Sequence, residues 1–139
     1  MKHVLVIDDE RDILTCLDEA LTTEGYRVSA AVSGAEGLDV LASDPPDLVI
    51  LGLRMPHMSG LEVLQAMRRK HPRLPTIVCS ALARYRTDFD VINANVSAFV
   101  DKPIDLEKLL KAVRVLLADP QATKLSLPSD EPREQAKPS

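Results

Sequence analysis

The chain has 139 residues, enough for one domain with a true core, and its 45% apolar and 27% charged content is that of a globular protein. A net charge of −4 offers no basic face to a phosphate backbone, and four scattered aromatics (Tyr26, Tyr85, Phe89, Phe99) make no base-stacking platform, so nucleic-acid binding is not expected. The opening MKHVLVIDDE lacks the apolar core of a signal peptide and no apolar run is long enough to span a bilayer, so a cytoplasmic location away from membranes is expected.

Short apolar runs alternate with helical patterns along the chain. VLVI (Val4 to Ile7) is a buried-strand type, β-branched and ended by acids. Ile13, Leu14, Leu17, Ala20 and Leu21 then recur at helical spacing, and Gly25 closes that helix. YRVSA (Tyr26 to Ala30) is a second strand. Ser33 with Glu36 forms a capping box for a helix carrying Leu38 and Leu41, which Pro45-Pro46 stops. DLVIL is the third strand, and Ser59 with Glu62 is a second capping box, opening a helix through Leu61, Leu64 and Met67. TIVCSA is the fourth strand, and the segment from Arg84 to Asn93 is a weaker helix. SAFVD is the fifth strand. Asp105 caps a last helix with an apolar stripe through Leu106, Leu109, Leu110, Val113, Leu116 and Leu117.

Five strands alternating with five helices imply parallel pairing through right-handed crossovers, hence an α/β fold with a doubly wound parallel sheet and helices on both faces. Residues 1–118 form this domain. From Asp119 the composition turns to Pro, Ser and charged residues, so 119–139 is expected to be a disordered tail or linker. Cys16 and Cys79 form neither a CxxC pair nor a metal cluster and are expected to be reduced, buried thiols. His3, His57 and His71 share no metal-type spacing.

In such sheets, sites lie beyond the carboxyl ends of the strands. The first strand delivers Asp8 and Asp9 there, with Glu10 following; the third delivers Gly52, the fourth Ser80, and the fifth Asp101, Lys102 and Pro103. Carboxylates suit Mg²⁺, and a lysine with a hydroxyl suits phosphate oxygens. Taken singly each residue has a plainer reading: Asp9 or Glu10 after a strand often just caps the next helix. Their arrival together at one edge favours a site.

These motifs resemble the receiver domain of two-component response regulators. VLVIDDE is similar to the family's first-strand acidic pair, LVILGLRMPHMSG to its third strand and loop, VCSA to the strand with the switch hydroxyl, and FVDKP to the fifth strand with its Lys-Pro. The resemblance covers about Lys2 to Leu117 and implies a five-stranded, three-layer α/β/α sandwich of the flavodoxin-like kind. It implies that Asp8 and Asp9, with the backbone carbonyl of Arg54, form a weak Mg²⁺ site. It makes Ser80 the switch hydroxyl, Phe99 the aromatic that turns inward on activation, and Lys102 the phosphate-contacting lysine before a cis bond to Pro103. The partner it implies is a histidine kinase or a downstream effector protein.

One position departs from the pattern. Four residues before Pro56 the family carries the aspartate that accepts the phosphoryl group, and this chain has Gly52. Glycine has no nucleophile, so phosphoaspartate chemistry is not available there. Lys102 loses its nearest expected anion and is expected to turn toward Asp8 or Asp9. The polar, hydrated surroundings are expected to accept a larger side chain at position 52. His57 and Ser59 lie in the adjoining loop, but their simpler roles are a surface residue and a helix cap.

Two readings of the signalling role remain open at this point. In one, the chain is a receiver that cannot be phosphorylated at Gly52 and acts by presenting a surface to a protein partner, without enzymatic activity. In the other, it is an ordinary phosphorylatable receiver whose acceptor aspartate was replaced by design. A small phosphohydrolase of the haloacid dehalogenase type is a remote third, since its second acid would lie two residues beyond the first and a late acid pair is missing.

Overall fold

Each expected apolar run forms a strand of one parallel sheet. The computed structural model describes residues 1–52, 59–80 and 96–118. The expected helix from Arg84 to Asn93, the loop residues Arg54 and His57, and the tail from residue 119 lie outside the described residues. The strands are β1 (His3–Ile7), β2 (Arg27–Ala31), β3 (Leu48–Gly52), β4 (Thr76–Ser80) and β5 (Ala98–Asp101). They lie in the order β2-β1-β3-β4-β5, every neighbouring pair parallel. The helices described are α1 (Arg11–Thr23), α2 (Gly34–Ser43), α3 (Gly60–Lys70) and α4 (Leu106–Ala118). The architecture is the expected doubly wound sandwich.

Alternation along the strands divides the core into two layers. Val4, Val6, Leu48, Ile50, Ile77 and Val100 pack with Leu14, Leu17 and Leu21 of α1 and Leu109, Val113 and Leu116 of α4. Leu5, Ile7, Val49, Leu51, Val78 and Phe99 face the other way, against Leu41 of α2 and Val63, Leu64 and Met67 of α3. Successive side chains of a strand point to opposite faces, so a sheet covered on both sides needs apolar residues at every position. That is why Val4 to Ile7 of β1, Leu48 to Leu51 of β3 and Ile77 to Cys79 of β4 read as unbroken apolar runs, and why all three strands are buried throughout. Each fully buried Leu, Ile or Val contributes about 1.5–3 kcal/mol relative to an exposed one.

The helix ends follow the expected signals with one difference. Gly25 has φ +97°, a left-handed conformation that glycine adopts without Cβ strain, and it ends α1. At α3, Ser59 Oγ accepts from the Glu62 amide at 3.2 Å and Glu62 Oε1 accepts from the Ser59 amide at 2.9 Å, a complete capping box. At α2, Ser33 Oγ accepts from the Glu36 amide, but Glu36 Oε1 takes the Val32 amide at 2.9 Å instead of the Ser33 amide. The box there is only half formed, because the carboxylate reaches one residue further back. Asp105 caps α4, its Oδ1 accepting from the Lys108 amide at 3.3 Å.

Strand β2 lies one residue later than the sequence pattern placed it. The Tyr26 amide donates to the Leu21 carbonyl and so belongs to the turn that closes α1. At one edge of the sheet, β2 is only partly buried, which leaves its period weakly marked.

Candidate functional site at the carboxyl edge of the sheet

The site begins where β1 ends. The Asp8 amide donates to the Ala31 carbonyl at 3.1 Å, which holds the residue in line with the sheet and keeps its side chain beside β3. Asp8 is only 3% exposed. Its Oδ1 accepts from the Glu10 amide at 2.9 Å and its Oδ2 accepts from Lys102 Nζ at 3.1 Å. Glu10, the residue before α1, makes no side-chain capping bond; its Oε1 accepts from Lys102 Nζ at 2.8 Å. The lysine is placed by β5: the Lys102 amide donates to the Ser80 carbonyl at 3.0 Å, and the following bond to Pro103 is cis.

Lys102 therefore bridges Asp8 and Glu10, and the expectation of a turn toward Asp8 or Asp9 holds for Asp8. Asp9 is exposed and is not the lysine's partner. Sequence reasoning missed Glu10 as that partner. The available signal was its place two residues after Asp8, where the chain bends into α1 and can return a carboxylate over the same edge.

Electrostatics follow from this burial. Desolvation raises the Asp8 carboxyl above its ordinary pKa, against the Glu10 amide and Lys102, which favour the anion. For Lys102, burial is the largest influence and acts downward, but the hydrogen bonds to Glu10 and Asp8 and their charges outweigh it, so its pKa is raised. The ammonium thus stays protonated and bound. The buried Cys79 thiol nearby is pushed up to about 12, chiefly by desolvation, which leaves no reactive thiolate at neutral pH. Cys16, by contrast, is exposed on α1, correcting the expectation of two buried thiols. It lines a groove of about 360 Å³ with Ile13, Ile104 and Leu106, adjoining Glu10 and Lys102.

Gly52 closes the site from β3. It is buried, pairs with Cys79 in the sheet register, and follows Leu51, the partner of Ile7. A Cβ built on Gly52 would lie 2.6 Å from Asp8 Oδ2 and 3.0 Å from Asp8 Cγ. The expectation of hydrated room at this position is therefore corrected: Gly52 is buried and the Asp8 carboxylate stands beside it, so a larger side chain enters only if that carboxylate moves. Ser80 is buried at the end of β4 opposite Asp101, and Phe99 is buried among the residues facing α2 and α3.

The donor set does not fit a tight divalent-ion site as it stands. Both Asp8 oxygens are engaged, Gly52 adds no carboxylate, and among the described residues no group of three His, Cys, Asp or Glu is arranged to hold a metal. His3 lies at the opposite end of β1, its Nε2 2.7 Å from Ser29 Oγ.

Residues 4–114 of the chain match the family model of the response regulator receiver domain. The chain belongs to this family. Response regulator MprA of Mycolicibacterium vanbaalenii is 38% identical over 115 residues, covering 83% of this chain and 50% of MprA. MprA of Mycobacterium avium is 37% identical over the same length and shares. The chain thus spans about half the length of these curated relatives. Among solved structures, a CheY-like receiver domain protein from Methanospirillum hungatei superimposes with a TM-score of 0.80 at 27% identity, over 86% of this chain and 96% of that one. Response regulator TrrA from Thermotoga maritima, in complex with Mg(2+)-BeF, gives 0.76 at 37% identity, over 84% of this chain and 99% of that one. Receiver domains are in general signalling modules of two-component systems rather than enzymes. Among the described residues of this one, no helix is long and apolar enough to cross a membrane.

Proposed function

We propose that this receiver domain signals without phosphoryl transfer at residue 52, by presenting its surface to a protein partner, a histidine kinase or a downstream effector, in the cytoplasm. The observation that carries the reading is Gly52 itself: the acceptor position has no side chain, and the Asp8 carboxylate occupies the space beside it. Aspartyl phosphorylation needs a carboxylate nucleophile at that strand end. In this reading Asp8 and Asp9, with the Arg54 carbonyl, keep only a weak affinity for Mg²⁺. Ser80, Phe99, Lys102 and Pro103 are the phosphoryl-contact and switch positions of the family, here left without a phosphoryl group to read. Residues 1–118 are the folding unit, and 119–139 are an appended tail. Truncation after Ala118 should leave the cooperative unfolding midpoint unchanged; a clear drop would show that the tail docks on the domain.

The test is chemical. The parent and a Gly52→Asp variant are incubated with acetyl phosphate in Mg²⁺-containing buffer and followed by intact mass. The parent should gain no phosphoryl group and the variant one. Phosphate on the parent would overturn the reading and direct attention to His57, Ser59 or another acceptor.

A second reading has its own support. Asp8, Asp9, Ser80 and Lys102 all remain, which suits an ordinary receiver whose acceptor was replaced by design. A Gly52→Asp variant phosphorylated at the rate of an ordinary receiver would favour it. A variant that takes no phosphate would favour a natural loss in which the surroundings have since changed.

A further inference from the structure

We infer that Lys102 is the resident cation of this site: its ammonium takes up the Asp8 oxygen a divalent ion would need, so such an ion binds only by displacing it. The inference rests on reading Asp8 and Asp9 as the receiver's acidic pair. Its ground is geometric. Lys102 Nζ lies 3.1 Å from Asp8 Oδ2 and 2.8 Å from Glu10 Oε1, while the Glu10 amide holds the other Asp8 oxygen. With glycine at 52 no other carboxylate from β3 can draw the lysine away or share an incoming ion.

Burial costs both charges hydration but leaves their attraction little screened. The side chains of Lys102 and Asp8 are 20% and 4% exposed, so their attraction is screened less than that of a surface pair. Glu10, 57% exposed, adds a second anchor with little desolvation of its own. The ammonium is also tethered: the Lys102 amide is fixed to the Ser80 carbonyl, so it competes at the high effective concentration of an intramolecular ligand. A hydrated Mg²⁺ gives up water reluctantly, and here it would meet one free carboxylate, an exposed Asp9, beside a fixed positive charge. The lysine of this chain thus acts as an internal counter-ion that offsets part of the negative charge at the acidic edge without metal.

The experiment uses the full chain and Mn²⁺ as the probe, titrated by water-proton relaxation, with Mg²⁺ added as competitor. Lys102→Met removes the charge, Lys102→Gln removes it but keeps a hydrogen-bond donor, and Lys102→Arg retains it. Circular dichroism melts establish that each variant is folded, and Lys102→Gln carries the test if Lys102→Met is not. The neutral variants should bind Mn²⁺ at least tenfold more tightly than the parent, about 1.4 kcal/mol, and Mg²⁺ should displace it. Lys102→Arg should bind as weakly as the parent. Neutral variants that bind no tighter than the parent, or a Lys102→Arg variant that tightens as much as they do, would overturn the inference. So would a parent that saturates at submillimolar Mn²⁺. Metal affinity is read here without any phosphoryl transfer, so phosphorylation of the parent would defeat the proposed function and leave this result standing.

Discussion

The contact between Gly52 and Asp8 makes a single added methyl group a sensitive probe of the site. In Gly52→Ala the new Cβ starts 2.6 Å from Asp8 Oδ2, and ordinary contact begins at 3.4 Å, so the carboxylate must retreat by about 0.8 Å. Asp8 has little freedom to do this, because the Glu10 amide holds one oxygen and Lys102 the other. Losing or stretching one charge-assisted hydrogen bond of this kind costs about 1.5–3 kcal/mol. Replacing glycine by alanine inside a strand returns about 0.5–1 kcal/mol of backbone entropy. The steric term wins. Gly52→Ala should be destabilised by about 1–2 kcal/mol, lowering the melting temperature by roughly 4–8 °C. Urea unfolding at pH 7 measures the difference, with an unchanged m-value showing that the effect is on stability. In a Lys102→Met background the alanine should cost markedly less, because the bond it strains is already gone. Gly52→Ala as stable as the parent would show that Asp8 turns aside freely and that its pairing with Lys102 contributes nothing.

Three other outcomes follow from particular residues. Ser59→Ala removes one half of the complete capping box at α3 and should cost about 1 kcal/mol in urea unfolding; no change would mean that water serves the Glu62 amide equally well. Iodoacetamide at pH 8 should add one label to the native chain, on exposed Cys16, and spare Cys79, whose thiol is pushed up to about 12; intact mass and peptide mapping decide it, and a second native-state label would contradict the burial. Asp8 has a folded-state pKa above its ordinary 3.8, so the folded chain holds that proton more tightly than the unfolded one. Its contribution is fully present below 3.8 and is lost as pH rises through the folded-state value. The parent should therefore gain stability relative to Asp8→Asn as pH falls from 7 toward 4, and urea melts that show the parent losing stability relative to that variant over this range would refute the sign.

The secondary structure was largely legible because a doubly wound sheet imposes a simple pattern. Strands covered on both faces need apolar residues through their middle, as in Val4 to Ile7, Leu48 to Leu51 and Ile77 to Cys79, and a helix against a flat sheet needs a stripe such as Leu109, Val113 and Leu116. At the edge of the sheet the pattern weakens, and β2 lies a residue later than its pattern suggests. The two capping boxes read alike in sequence, yet only that at Ser59 closes. At Ser33 the Glu36 side chain finds the Val32 amide within reach, a choice set by the local path of the chain.

That position 52 has no nucleophile is a matter of covalent composition, which no folding can alter. The sequence also shows which strand ends carry acids, a hydroxyl and a lysine, because strand positions along the chain and side-chain period follow from hydrophobic spacing. Which of these groups touch was decided only by the tertiary structure. Lys102 lies 94 residues from Asp8 and 92 from Glu10 along the chain, and three acids stand in a row after β1. Residue type does not distinguish among them. The bend into α1 turns Asp9 outward and brings Glu10 back over the edge, while the missing Cβ at Gly52 leaves room for the Asp8 carboxylate to settle against β3. Reach and burial, both properties of the folded chain, select the lysine's partners and set the Asp8 carboxylate beside the place where an acceptor side chain would stand.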